Sequence, residues 1–411
     1  MDLSFYRRNA WWLGTGFLLM FTSSFGQTYF IALFAGGIRE EFGLSNGEWG
    51  GIYTLATLGS AALLVFAGRL TDTMPLKTIA TIILAAYACA AATMALAPHV
   101  AVLVIAIFGL RFCGQGMTVQ ISSTAIARWF AANRGRAVAI SVLGFPIGEA
   151  LFPVLAVNAQ EVLGWRGTWL LVAALLLLVL LPAAFFLLRH GRVPQGEGGG
   201  DDAVGMGGRH WTRREVLSHW SFYAVFPGII AAPFIGTCLF FHQVHISEVR
   251  GFDLSTMALA FPLYASISVT TSLITGNLVD RFGPQRLLPF FLIPLGCAVF
   301  SLSLPGDVWL WFAVLALTGL GQGIAITMMS ALWPTLYGTR AIGSIKSIFS
   351  ATMVFATAAG PGVTGLIIDE GIDFPSQGIV FALYCFAMSA LFAVLAPRLS
   401  AELPRRVDQP V

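Results

Sequence analysis

Two ionisable residues stand in stretches where such residues are rare. Arg111 sits in GLRFCGQGMTVQIS (109–122) and Glu149 in GFPIGEAL (144–151), both otherwise apolar or small. A buried guanidinium normally faces a bundle interior or a water-filled cavity, and it can grip a carboxylate through two N–H bonds. A buried carboxylate is a natural proton switch. Steps of four, seven and eleven from Arg111 reach Gln115, Thr118 and Ser122, which places these four side chains on one α-helical face. Arg111 and Glu149 could also pair with each other, which would make them a structural tie instead.

Three amides extend this set. Gln115 has a counterpart in Gln322, because Gly114-Gln115-Gly116 returns as Gly321-Gln322-Gly323, and Gln27 is expected at comparable depth. Amides there could hydrogen-bond a solute or join two helices. Residues 254–280 contain no Lys or Arg, and Tyr264, Ser266, Ser268, Thr270, Thr271, Ser272 and Thr275 are the polar residues there instead. His242 and His245, three residues apart, could titrate near neutral pH or line an outer gate. Tyr29, Tyr53 and Phe241 fit packing or lining equally well. Lys346 fits a side chain snorkelling to the membrane surface better than an anion ligand.

The elements that carry these residues are membrane helices. Apolar residues make up 57% of the 411-residue chain and charged residues 10%, with a mean hydropathy of +0.80. A soluble domain carries about 25% charged residues. Twelve windows approach the ~20 apolar residues that a helix needs to cross a bilayer. They lie near 11–36, 49–68, 78–97, 100–127, 137–158, 168–188, 218–245, 256–278, 287–304, 308–333, 342–367 and 378–396, called spans 1 to 12 below. At 1.5 Å per residue Arg111 lies roughly 15 Å deep, near the midplane, and Glu149 reaches a matching depth from the opposite side.

Placing both termini in the cytoplasm puts 19 of the 23 Lys and Arg residues in inner segments. Short loops follow such a bias, so this is the expected orientation. The N-terminal apolar run is too long for a signal peptide and lacks a clear cleavage site, so it reads as span 1. The stretch 190–217 is Gly-rich and charged around GEGGGDDAVGMGG, which suggests a flexible tether between two bundles, 1–189 and 218–411. The segment 211–220 is expected to form a short amphipathic helix on the cytoplasmic face.

The chain is also internally duplicated. Besides the two Gly-Gln-Gly triplets at an offset of 207, Gly68-Arg69-Leu70-Thr71-Asp72 corresponds to Gly276-Asn277-Leu278-Val279-Asp280, and Arg136-Ala137 to Arg340-Ala341. The five cysteines are scattered and match neither a disulfide framework nor a metal site. No phosphate-binding Gly-x-x-x-x-Gly-Lys-Ser/Thr loop or catalytic triad is present, so neither an ATP-driven pump nor an enzyme is expected, and no cofactor or metal is called for.

Gly276-x-Leu278-x-Asp280-Arg281-x-Gly283, with its degraded copy at 68–77, resembles the signature loop of the major facilitator superfamily. The resemblance spans the whole chain and implies twelve helices in two six-helix bundles. It also implies gate loops that use Asp72, Asp280 and Arg281. The first copy departs from the pattern, with Thr73 where a basic residue is usual and Pro75 where glycine is usual. Trp129-Phe130, Arg134-Gly135-Arg136-Ala137, Gly144, Gly148 and Gly164-Trp165-Arg166 resemble the monocarboxylate porter and oxalate–formate antiporter group. That group carries an arginine on span 8, which this chain lacks.

The resemblance implies a monomeric secondary transporter of the bacterial inner membrane, working by alternating access and coupled to protons or sodium. It has a small solute, a coupling ion and membrane lipid as partners, and no nucleic acid. Proton-coupled movement of a small organic anion leads, with Arg111, Gln115, Gln27, Gln322 and Tyr264 at the substrate and Glu149 and His242 on the proton. Proton-antiport efflux of drugs or metabolites is the alternative. The Gly-Pro signature of such antiporters is missing from span 5, which reads Gly144-Phe145-Pro146, and Gly360-Pro361 lies on span 11 instead. A non-transporting sensor or channel fits the duplication less well.

Overall fold

The computed structural model describes residues 3–130, 134–189 and 204–404, and these are helical with no strands. Among them nine helices are long and apolar enough to cross a membrane, and a tenth span is the bent pair Ala10–Gly26 and Thr28–Phe42. One of the nine, Gly135–Leu187, runs for 53 residues. A helix of that length would measure about 80 Å, more than twice a ~30 Å hydrocarbon core, so it must turn back. It does so at Gly164, whose φ of +66° and ψ of 174° break the helix into spans 5 and 6. A left-handed φ favours glycine because a Cβ there meets the backbone.

Span 9 departs from expectation. Regular helix covers only Ile293–Leu302, and residues 287–292 form turns. Pro289 and Pro294 explain this: neither has an N–H to donate, and each ring crowds the preceding turn. Pro294 falls within the first two positions of the helix, where the missing donor is harmless. With these corrections the chain is an all-α membrane protein whose spans follow the twelve expected windows.

The chain forms two compact units. The first comprises Met1–Gly198, Phe240–Pro262 and Ala358–Gly371, and the second Gly199–Leu239, Leu263–Thr357 and Ile372–Val411. In the first, Phe25, Phe30, Phe34, Phe152 and Trp169 interlock at centroid spacings of 4.4–6.5 Å on spans 1, 5 and 6. At one end of this unit Arg166, just past the Gly164 turn, pairs with Glu41 and donates to the carbonyls of Ala95 and Ala97 at 2.6 and 2.7 Å. Trp165 Nε1 donates to the same Glu41 at 2.9 Å. The Gly-Trp-Arg triplet therefore ties loop ends together.

At the same end the carboxylate of Asp369, closing span 11, accepts from Ser45 Oγ and from the backbone N–H groups of Asn46 and Gly47 at 2.6–3.0 Å. It thereby caps span 2, whose first N–H groups lack helical partners. Gly50 backs onto the Pro361 carbonyl, an approach that no Cβ would permit.

The second unit has its own core, built on spans 7, 9, 10, 11 and 12, in which Trp333 and Phe349 stack at 3.5 Å. The segment 211–220 forms a helix only over Arg213–Ser218, started by a Thr212–Glu215 capping box. Trp211 N–H donates to the Tyr337 carbonyl at 3.0 Å, and Trp211 and Val216 are buried. This segment thus rests on span 10. Residues 190–203 of the expected tether lie outside the described residues.

The duplication shows in contact register. A Cβ on Gly116 would press on Leu64 at 3.1 Å, and one on Gly323 would meet Thr271 at 2.8 Å. Gly114 likewise backs onto Tyr87, and Gly321 onto Pro294. Each pairing repeats at the same offset of 207, so equivalent residues meet on equivalent helices.

Candidate binding site

Span 1 is broken at mid-depth. Helix ends at Gly26, Gln27 takes an extended conformation (φ −83°, ψ 153°), and helix resumes at Thr28 with a bend of 44°. Gly26 is required here because a Cβ would run into the Leu110 carbonyl and Gly114. The break leaves the C-terminal carbonyls of one half-helix and the N-terminal N–H groups of the next without helical partners. Discontinuous helices of this kind mark solute sites in transporters.

Arg111 fills the gap from span 4. Its Nη1 donates to the freed Gly26 carbonyl at 3.1 Å and reaches Thr28 Oγ1 at 3.4 Å, and its guanidinium lies 5.2 Å from the Tyr53 ring centre. Thr28 and Tyr53 share a 2.5 Å hydroxyl contact that fixes this wall. A cation at a half-helix C-terminus is favourable, and so is a guanidinium over an aromatic face. Arg111 is only 2% exposed, yet its Nε has no hydrogen-bond partner, and among the described residues no carboxylate pairs with it.

Glu149 does not supply the missing charge. It is buried at 5% exposure and makes no ion pair or side-chain hydrogen bond among the described residues. Its neighbour Gly148 backs onto Ser24 of span 1. The pairing considered from matched depth is thus not formed, because the break in span 1 captures the guanidinium first.

Other polar groups beside the break are also unspent. Ser24 Oγ and Tyr29 Oη are buried without partners, and the Gln27 side chain, 8% exposed, caps nothing. Most buried polar groups are satisfied, so a set of this kind around one backbone break needs an explanation.

The expected four-residue face on span 4 is split. Residues Arg111–Thr118 form a π-helix, whose extra residue per turn shifts the side chains after Arg111. Thr118 donates to the Gly114 carbonyl and Ser122 to the Gly16 carbonyl at 2.9 Å, so both serve helix packing. Gln115 is exposed and has no hydrogen-bond partner among the described residues. Such π segments occur often at functional sites.

The second unit holds the other named residues. Gln322 is exposed, as its counterpart Gln115 is. Tyr264 is buried where span 10 crosses span 8, with Gly319 backing onto its carbonyl. Asp280 and Arg281 are exposed at the end of span 8, which Gly283 terminates with a φ of +81°. The Asp72 side chain lies outside the described residues, and its loop is held by Arg128 Nη1 donating to the Thr71 carbonyl at 3.0 Å. His242, back in the first unit, shares a 2.8 Å bond with Thr364 Oγ1. The Thr364 hydroxyl in turn donates to the Gly360 carbonyl at 2.8 Å.

Sequence reasoning missed the break in span 1 and with it Ser24 and Thr28. The signal was present in Ser23-Ser24-Phe25-Gly26, a small, polar, glycine-ended run inside an apolar stretch.

Comparison with known proteins agrees with this architecture. The chain is 26% identical over 372 residues to the "Gentisate transporter" of Corynebacterium glutamicum, covering 87% of this chain and 81% of that protein. It is 25% identical over 300 residues to the "Probable sulfoacetate transporter SauU" of Cupriavidus necator, covering 68% of each. The "Multidrug resistance protein MdtL" of Klebsiella pneumoniae is 23% identical over 374 residues, 88% of this chain and 90% of that one. Among solved structures, a bacterial homologue of the human lysosomal transporter Spinster, in an inward-facing and unoccupied conformation, shares the fold. Its TM-score is 0.75 at 16% identity, over 97% of this chain and 99% of that one. Residues 16–361 match the Major Facilitator Superfamily, and with twelve expected spans, a duplicated register and a broken first helix, the chain belongs to that family of multi-pass membrane transporters.

Proposed function

We propose that this protein carries a small organic anion across the bacterial inner membrane by alternating access, with Arg111 as the carboxylate ligand. One observation carries the reading: a cation 2% exposed, held at a helix break, with no carboxylate partner among the described residues. Leaving a buried charge uncompensated costs several kcal/mol, which a bound anion would offset. Arg111 Nε and Nη2 make no hydrogen bond among the described residues and are the donors open to it, and Ser24, Gln27 and Tyr29 flank the same break in span 1. Two of the similar transporters are named for sulfoacetate and gentisate, both carboxylates, which supports the same class.

The carboxylate subgroup is favoured without its span-8 arginine, because here the cation comes from span 4. Glu149 is the proton carrier in this reading, buried and without an ion pair or side-chain hydrogen bond among the described residues. His242, tied to Thr364, plays a lesser part. Gln115, Gln322 and Tyr264 would serve the solute, and the loops at Asp72 and Asp280-Arg281 the gating. The bundles 1–189 and 218–411, joined by 190–217, are the moving parts, with both termini cytoplasmic.

Uptake of labelled organic acids into proteoliposomes tests this. Arg111→Ala should abolish uptake while the protein still folds, and unchanged uptake would remove Arg111 from the site. Uptake of cationic drugs against a proton gradient, with no acid transported, would favour efflux.

A further inference from the structure

Spans 9 and 12 of the second unit line a groove at one end of their contact. They touch closely from mid-depth, where a Cβ on Gly296 would lie 3.0 Å from Cys385, to the start of span 12, where one on Gly378 would strike the Val299 carbonyl. Toward the chain's C-terminus, span 9 unwinds over 287–292, while span 12 presents Ala390, Ala393 and Ala396. The gap is a cavity of about 840 Å³ lined by Phe290, Ile293, Ser389, Ala393 and Pro397, with Arg286 and Ser400 among its walls. Eleven residues of span 12 separate Ser389 from Ser400, about 16 Å at 1.5 Å per residue. One leaflet of a ~30 Å core has that depth.

Two polar groups mark this groove as more than a packing gap. Arg286 is exposed at the interfacial end and makes no ion pair or hydrogen bond among the described residues. Ser389 Oγ, on a residue only 6% exposed, has no partner, although a helical serine usually returns its hydrogen bond to the preceding turn, as Ser400 does to Ala396. The groove thus offers an apolar slot one leaflet deep, a buried hydroxyl within it and an unpaired cation at its mouth.

We propose that this groove holds an anionic phospholipid of the leaflet that contains the C-terminus, with an acyl chain along Ile293 and Ala393 and its phosphate at Arg286. A zwitterionic lipid fits the slot equally well but gains less at Arg286. Basic pockets between membrane helices bind anionic headgroups in this way.

The test is native mass spectrometry of the full-length protein extracted from vesicles of equal parts phosphatidylglycerol and phosphatidylcholine. Wild type should retain phosphatidylglycerol in preference by about fivefold, or about 1 kcal/mol. Arg286→Gln should bring the two lipids to parity, and Arg286→Lys should keep the preference. Ala393→Phe, which fills the slot, should lose the retained lipid of either type, while Leu383→Phe outside the groove should not. Equal retention of both lipids by wild type, a preference that survives Arg286→Gln, or unchanged retention in Ala393→Phe would each overturn the proposal.

Discussion

Span 4 and span 10 are copies of one helix, yet only one carries a charge. Arg111 corresponds, 207 residues on, to Thr318, whose hydroxyl simply returns to the Val314 carbonyl at 2.7 Å. Span 10 is an unbroken α-helix over Trp309–Tyr337, whereas span 4 winds as a π-helix from Arg111 to Thr118. The glycine contacts pair the same positions in both copies, so the scaffold is shared while the intramembrane cation stands in one half. The wider π turn and the broken span 1 are two sides of one arrangement: Gly26 and Gly114 touch, and Arg111 closes the gap they leave.

The sharpest way to break this comparison is to exchange the two positions' importance. Arg111→Ala should lower carboxylate uptake by roughly 100-fold or more, since hydrogen bonds to charged groups contribute about 1.5–3 kcal/mol each and 1.4 kcal/mol is tenfold. Arg111→Lys should fare little better, because a lysine cannot reproduce the planar, stacked fork. Thr318→Ala should leave uptake within about twofold, because this buried hydroxyl is spent on the Val314 carbonyl of its own helix and offers a solute no charge. Equal losses at both positions would mean that the two halves share the chemistry.

Glu149→Gln comes next. Uptake driven by an imposed pH gradient should fall to the level without one, while binding of the anion stays within about threefold, or ~0.7 kcal/mol. Acid-driven uptake that persists in this variant would take the proton away from Glu149.

Stability should separate the copies more gently. Gly114→Ala forces a methyl against Tyr87 and Gly26 and should cost about 1–3 kcal/mol, read as a lowered Tm. Gly321→Ala meets nothing nearer than 3.6 Å and should stay within about 0.5 kcal/mol. A smaller effect, about 1 kcal/mol, is expected from Asp369→Asn, which keeps the shape of the span 2 cap but loses its charge and one of its two accepting oxygens.

Much of the scaffold was readable in advance, because bilayer thickness fixes span length and a duplicated chain repeats its glycines. Arg111, Glu149 and Gln27 were also legible, since a polar group deep in an apolar run is conspicuous. Their partners were not. A period of 3.6 residues places Gln115 and Ser122 beside Arg111, and eight residues of π-helix are too few to alter that pattern visibly. The pairing of Arg111 with Glu149 rested on depth alone, and depth says nothing about the carbonyl at Gly26 that lies nearer. Span 9 read as a full helix because Pro289 and Pro294 are apolar in composition while they unwind its first turns.

The account depends most on Arg111 being a buried cation that awaits an anion. Thermal unfolding of the purified protein with sulfoacetate, gentisate and a wide set of other organic acids measures this directly. At least one acid should raise the Tm of the wild type and leave Arg111→Gln unmoved. An acid that stabilises Arg111→Gln as much as the wild type, or a wild type indifferent to every acid, would contradict it.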